Sequence, residues 1–402
     1  MRILIFSHVF YPEVGAAQTR LQYMADALIE KGHDVEVLCP MPNYPTGKIF
    51  PEYKNKFYKE DKCGNILIHR YWIFTSNSMN LYHRLLSILS FAVNIWLFGF
   101  KRRLVKSYDV VIYQTPNLLP VYSGLLLFKK LYKKKAIVNI SDIQPNDMIE
   151  CGQLNKDGLK AKSLFWLQRR VYNMADGIMG QSEEIINQVH SVIGTKTKCF
   201  LYRNIQKTDK KHDVNYKKNN PFKIIYAGLI GPTQDILGIA KTINFEEIGC
   251  ELHLYGGGID VQALKEGIDN QDFHGVFYHG IVDRIAMDAI LPQYDASIVP
   301  LKHAITGAVP SKIFDLIKSQ VPILYSGKIG SEASNIILDN GVGFVSQYGD
   351  YQSLKSNIIK MKEMSDAEYK IIKMNELKAS TEIFDFDKQI DGLNEYLKSY
   401  LK

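Results

Sequence analysis

The chain reads as an α/β protein made of two Rossmann-like domains facing a cleft. Three observations lead there. Strands and helices alternate almost throughout, the alternation restarts in the second half, and 402 residues suit two domains of about 200 residues better than one core. Regular β-α alternation is the pattern of a parallel sheet covered by helices on both faces.

The elements follow in order. Arg2–Ser7 is a short apolar strand of the buried type. Gln18–Lys31 is an amphipathic helix with Leu21, Met24, Ala25 and Leu28 on one face; Gly32 ends it and His33–Cys39 is the next strand. Val110–Gln114 and Ala136–Ile140 are further strands, and Val121–Lys133 and Leu159–Met174 are helical in period. Lys198–Tyr202 and Lys223–Ala227 begin the second set, separated by a polar loop, Gln206–Asn220. Ile236–Thr242, Glu251–Tyr255, Val261–Gly267, Val276–His279, Ala286–Leu291 and Ala296–Val299 continue it. The expected domains are 1–205 and 206–380.

Leu85–Phe100 is nearly continuous apolar sequence flanked by Arg84 and Lys101–Arg103. It falls short of the ~20 residues a membrane span needs. It reads as a core helix, or as a packed helix whose apolar flank and basic end also touch a membrane surface.

Composition narrows the class. A hydrophobic share of 46% and a charged share of 23% are ordinary for a soluble globular chain. Five scattered cysteines with no CxxC pair argue against a zinc site or a disulfide framework and fit a reducing compartment. The opening MRILIFSHVF enters a strand directly, without a signal-peptide pattern, so a cytoplasmic location is expected. The net charge of +7 is uneven: residues 1–205 hold 27 Lys and Arg against 16 Asp and Glu, a net +11. A basic half points to a polyanionic surface, either anionic lipid or nucleic acid. The basic residues lie in no recognisable nucleic-acid-binding motif, so the expectation is a peripheral location on an anionic membrane surface and no nucleic acid.

The stretch Ser297–Ser326 carries the most chemistry. A strand leads through a loop with Thr306 and Gly307 into a helix, Lys312–Ser319, opened by Pro310 and Ser311, and then into a strand, Val321–Tyr325. Backbone N–H groups at such a helix start suit a phosphate. Lys302 and Lys312 add positive charge, and Asp315, one turn on, is placed to accept from a pair of hydroxyls. Together they describe a nucleotide-sugar site; the alternative is a plain α/β crossover with two solvated lysines. Other glycine loops end strands: Gly15 with Ala16 and Ala17 after the first strand, Gly256–Gly258 after Leu254, and Gly280, Ile281 and Val282 after Phe277. Ligands of open parallel sheets bind at these strand ends. Neither G-x-G-x-x-G nor a P-loop is present, which speaks against dinucleotide and P-loop nucleotide binding.

The chain resembles retaining GT-B glycosyltransferases of the family 4 class, and within it the WbuB-like transferases of bacterial surface polysaccharide synthesis. The resemblance rests on HVFYPEVGAAQTR, GHDVEVLCPMPNYPTG, SDIQP at Ser141–Pro145, YAGLIGPTQDI, LYGGGID, FYHGIV and VPLKHAITGAVPSKIFDLIKSQVPIL. It implies the GT-B fold, with a C-terminal helix, 381–402, crossing back to the first domain and the donor held mainly by the second domain, around Gly228, Gly256, Gly257, Gly280, Ile281, Val282, Ser311 and Asp315, with Gly15 from the first. The second carboxylate of the family's E-x7-E pair matches Asp315; the first falls on Gly307. The family's Arg and Lys on the donor diphosphate fall on Leu229 and Gln234. Lys302 and Lys312 are the expected substitutes, on charge alone. The family's His-Asp near the reacting carbon falls on Ser141 and Asp142. The implied reaction moves a sugar, N-acetyl-L-fucosamine being one candidate, from a UDP-sugar to a polyprenyl diphosphate-linked saccharide. It proceeds with retention and has no expected metal or cofactor requirement. Rival readings are a GT-B nucleotide-sugar epimerase and a non-enzymatic basic membrane-surface protein.

Overall fold

A computed structural model describes all residues except 45, 76–80, 206, 208–216, 303–304 and 402. Most of the polar loop expected up to Asn220, and His303 in the loop before Lys312, therefore lie outside the described residues. The chain forms two compact units. The first comprises Met1–Lys207 with Phe386–Lys402, and the second Thr208–Asp385.

In the first unit β1 (Arg2–Phe6), β2 (Asp34–Pro40), β3 (Tyr58–Cys63), β4 (Ile66–Tyr71), β5 (Val110–Gln114), β6 (Lys135–Ile140), β7 (Gly177–Gly180) and β8 (Lys198–Leu201) make one sheet. Its order is β3-β4-β2-β1-β5-β6-β7-β8. Every pairing is parallel except β3 with β4. Central strands such as RILIF and VVIYQ are apolar on both faces because helices cover both. Lys198–Leu201, where the sequence reading has the alternation restart, is the edge strand of this first sheet.

The helices of this unit are α1 (Ala16–Glu30), α2 (Leu81–Gly99), α3 (Arg102–Ser107), α4 (Leu118–Gly124), α5 (Asn146–Glu150), α6 (Leu159–Met174) and α7 (Glu183–Ile193). The helix expected at Val121–Lys133 begins earlier, at Leu118, and widens into π-turns at Leu125–Leu131. Pro120 is tolerated because it lies in the first turn, where no N–H partner is lost. The Tyr113 hydroxyl donates to the Gly124 carbonyl at 3.2 Å, an intrusion into the helical ladder of the kind that accompanies a π-bulge. The apolar stretch Leu85–Phe100 lies mostly in α2, which buries Phe91, Ala92, Ile95 and Phe98; Phe91 stacks on Phe6 of β1 with centroids 5.2 Å apart. Among the described residues no helix is long and apolar enough to cross a membrane.

The second unit holds β9 (Phe222–Ala227), β10 (Cys250–Tyr255), β11 (Val276–Tyr278), β12 (Ala296–Pro300), β13 (Ile323–Gly327) and β14 (Gly343–Gln347). They form one parallel sheet of order β11-β10-β9-β12-β13-β14. Around it lie α8 (Ile236–Thr242), α9 (Val261–Asp269), α10 (Arg284–Ile290), α11 (Lys312–Ser319), α12 (Glu332–Asp339), α13 (Tyr351–Glu363) and α14 (Asp366–Lys378). Each unit has its own buried apolar core, as two Rossmann-like domains require.

The final helix, α15 (Phe386–Lys398), packs on the first unit. His33 Nε2 lies 2.7 Å from Asn394 Oδ1, the Arg203 N–H donates to Gln389 Oε1 at 2.8 Å, and Leu393 and Leu397 are fully buried.

Candidate active site

The order of the second sheet reverses between β9 and β12, so the loops leaving those strands part and leave room above their carboxyl ends. A cavity of about 600 Å³ opens there. Its floor is the loop after β9, with Gly228 and Leu229, and the end of β10, with Tyr255, Gly256 and Gly257. Its wall is the loop after β11, with Ile281 and Val282, and the first turns of α10, with Arg284, Met287 and Asp288. Asp315 of α11 closes one side.

Backbone bonds lock the floor. The Gly228 N–H donates to the Tyr255 carbonyl at 2.9 Å, the Gly256 N–H to Gly280 at 2.8 Å, and the Ile230 N–H to Gly257 at 2.8 Å. Gly256 has φ 134°, and a Cβ there would overlap the Gly228 carbonyl. Only glycine permits this approach, so the three loops pack as bare backbone.

The electrostatics are concentrated on α10 and α11. Arg284 Nη2 lies 3.2 Å from Asp315 Oδ1. Burial pushes the Asp315 carboxyl above its usual range; Arg284 opposes this and Asp288 adds to it. Asp283 starts α10 by accepting the Ala286 N–H at 2.8 Å. Lys312 Nζ sits 4.5 Å from the Tyr226 ring centroid, and a Cβ on Gly228 would lie 2.8 Å from it. No carboxylate lies within ion-pair range of Lys312 among the described residues, and loss of water pushes its ammonium down to about 8. An unpaired, poorly hydrated cation beside a glycine loop is suited to an anion.

The residues singled out in the sequence separate into two groups. Gly228, Gly256, Gly257, Ile281, Val282 and Asp315 line one cavity; Gly280 contributes the carbonyl that holds Gly256, and Lys312 flanks Gly228. Ser311 precedes α11 but its side chain makes no cap bond, because its backbone is already helical (φ −58°, ψ −28°). Lys302 is exposed in the loop after β12, where its N–H donates to the Thr233 carbonyl at 3.1 Å. Gly15 and Asp142 belong to the first unit, at the start of α1 and after β6. Arg284 and Asp288 are charged lining residues that the sequence reading missed; the signal for Arg284 was its place three residues after Ile281, at a helix start marked by Asp283.

The first unit has a polar cluster of its own at the carboxyl ends of β5, β6 and β7. Arg20 of α1 is only 5% exposed. It donates to Gln181 Oε1 at 2.6 Å and to the Ser141 hydroxyl, while its Nε has no partner. Burial raises the Asp142 carboxyl, and the Arg20 guanidinium opposes the rise. Arg20 was legible as the one charge in the row Arg20-Met24-Leu28, otherwise apolar. Among the described residues no group of three or more His, Cys, Asp or Glu is placed to hold a metal ion.

Comparison with known proteins agrees with this architecture. Residues 15–199 match the model of the glycosyl transferase 4-like domain. A protein of Escherichia coli (strain K12) assigned to colanic acid biosynthesis, the glycosyl transferase WcaI, is 23% identical over 337 residues, covering 79% of this chain and 81% of that one. Sucrose-phosphate synthase from Thermosynechococcus elongatus superposes with a TM-score of 0.69 at 10% identity, over 100% of this chain and 99% of that one. Anabaena HepE, solved with UDP, gives a TM-score of 0.66 at 14% identity, over 99% of this chain and 100% of that one.

Proposed function

We propose that this chain, a glycosyltransferase of the GT-B fold, moves a sugar from a UDP-sugar to a lipid-linked saccharide in bacterial surface polysaccharide synthesis, with retention at the anomeric carbon. The observation that carries the reading is the cavity over β9, β10 and β11, which combines bare backbone with the Asp315 carboxylate and Arg284, and has Lys312 beside its Gly228. The relative assigned to colanic acid synthesis supports the pathway class, and the UDP in HepE supports the donor nucleotide.

In this reading Asp315 accepts from the ribose diol. The backbone of Gly256, Gly257, Gly280, Ile281 and Val282 reads the base, and Gly228 lets the diphosphate approach Lys312. Charge grows on the diphosphate as the sugar leaves, and Lys312, with Lys302 from the loop after β12, stabilises it. The scheme calls for no metal, since the two lysines and backbone N–H groups take the leaving-group charge. The first unit's candidates in this reading are Asp142, as a catalytic group, and Gly15, as a donor-binding one. The acceptor is a polyprenyl diphosphate-linked saccharide at an anionic membrane surface, and N-acetyl-L-fucosamine is the first donor sugar to test.

The test is incubation of the full chain with a panel of UDP-sugars, with and without the polyprenyl diphosphate-sugar acceptor, and reading the product's anomeric configuration by NMR. Acceptor-dependent release of UDP with the donor's configuration kept is expected. UDP-sugar isomerised without acceptor would identify an epimerase instead, and an absence of UDP binding would overturn the reading.

A further inference from the structure

In the first unit, α2, α3, α4 with its π-turn continuation, and α6 together contain ten Lys or Arg and no Asp or Glu. α4 packs against both α2 and α6, the π-turns touch α2 and α6, and α3 packs on α2, so these elements form one layer. Lys129 is paired with Asp176 at 2.6 Å; the remaining cations concentrate one sign of charge on this layer, which favours an anionic surface.

The same layer is apolar on its outer side. Tyr82, Leu85, Leu89, Val93, Trp96 and Phe100 follow one another at intervals of three or four along α2 and just past its end, opposite the buried Phe91, Ile95 and Phe98. All six are exposed, Val93 at 64% and Phe100 at 77%. An apolar row of this length facing water marks an interaction surface. Its neighbours continue it. Trp96 Nε1–H donates to Ser123 Oγ of α4 at 2.9 Å, and the exposed Trp166 of α6 meets Tyr122, the preceding residue of α4, edge-on at 6.1 Å. Arg170 lies 5.4 Å over the Trp166 ring. Indole rings held by one edge and open on the other, beside arginines, are the chemistry of the lipid headgroup boundary.

We propose that this helical layer seats the protein on an anionic membrane, with the outer row of α2 and Trp166 at the headgroup–acyl boundary and the cations of α3 and α6, with Lys130 of the π-turns, on lipid phosphates. The proposal rests on the acceptor reading above and names the surface that would serve it. α2 lies in the interface plane and does not span it. A second copy is a poorer occupant, because a two-fold contact would set ten like charges against ten. Nucleic acid is a poorer one too, since the charges share the layer with an exposed apolar row.

The experiment is flotation of the full chain with phosphatidylcholine vesicles, with and without phosphatidylglycerol, at low and high salt. Flotation with anionic vesicles at low salt, release at high salt, and a blue shift of tryptophan emission are expected. Arg169→Glu with Arg170→Glu should lower partitioning roughly 30-fold or more, and Val93→Glu with Phe100→Glu roughly 10-fold or more. All four positions are exposed, so both variants should keep the parent's melting temperature and its affinity for UDP. No flotation, equal flotation on neutral vesicles, or flotation indifferent to both variants would overturn the proposal. So would concentration-dependent self-association that Val93→Glu abolishes without any vesicle binding. Loss of UDP binding with flotation intact would instead refute the donor reading and leave this surface standing.

Discussion

Replacing Asp315 with Asn is the most direct probe of the cavity. Asn keeps the shape and removes the charge that a ribose diol would use. The Arg284–Asp315 pair is partly solvated, with side chains 46% and 29% exposed; such a pair contributes no more than ~1 kcal/mol to stability. The variant should therefore fold. A charge-assisted hydrogen bond to a diol is worth on the order of 1.5–3 kcal/mol. UDP affinity should then fall roughly 10- to 150-fold, read by calorimetry. Arg284→Met separates the two roles of the pair. If Arg284 only holds Asp315, its loss should be much smaller and should vanish in the Asp315→Asn background. Unchanged UDP affinity in a folded Asp315→Asn protein would refute the ribose assignment.

Further outcomes test the neighbours. Lys312→Met should lower turnover more than UDP affinity, and Lys302→Ala should do so more weakly because Lys302 is exposed; equal small effects on both quantities would make them solvated groups. Lys312 is charged below about 8, so UDP affinity should decline as pH rises through that value, and Lys312→Met should flatten this limb of the titration. Gly256→Ala should cost on the order of 2–4 kcal/mol in chemical denaturation, since a Cβ would meet the Gly228 carbonyl at φ 134°. Glu376 is fully buried with neither carboxyl oxygen hydrogen-bonded, and burial raises its carboxyl well above the ordinary 4.5. Its contribution to stability is intact below pH 4.5 and lost as pH rises towards its folded-state value, so Glu376→Gln should remove that decline.

How far the sequence led depended on what each segment had to signal. α11 was legible to the residue, Lys312–Ser319, because its apolar face is strongly periodic and proline and serine mark its start. The glycine loops were legible because backbone that must touch backbone leaves glycine no substitute. β3 was missed because YKEDKC is polar and pairs antiparallel at an edge, with none of the apolar run that marks a buried parallel strand. Arg284 was missed because a single arginine at a helix start looks like any solvated one; only the fold brings it to Asp315. The Rossmann-like units follow from local pattern, whereas the cavity's charge pairing is a long-range fact that spacing does not encode.

The return of α15 to the first unit has a practical meaning. Residues 208–385 are an insert with both ends anchored in the other unit, so the second unit is a cassette and the first a frame closed by the chain's last helix. Leu393 and Leu397 are fully buried in the frame, and Tyr396 beside them donates to the carbonyls of Ile178 and Lys198, 218 and 198 residues earlier in the chain. Swapping the cassette between relatives should respect two junctions, Lys207/Thr208 and Asp385/Phe386. Cutting the chain before α15 would strip the wall from the unit at its opposite end.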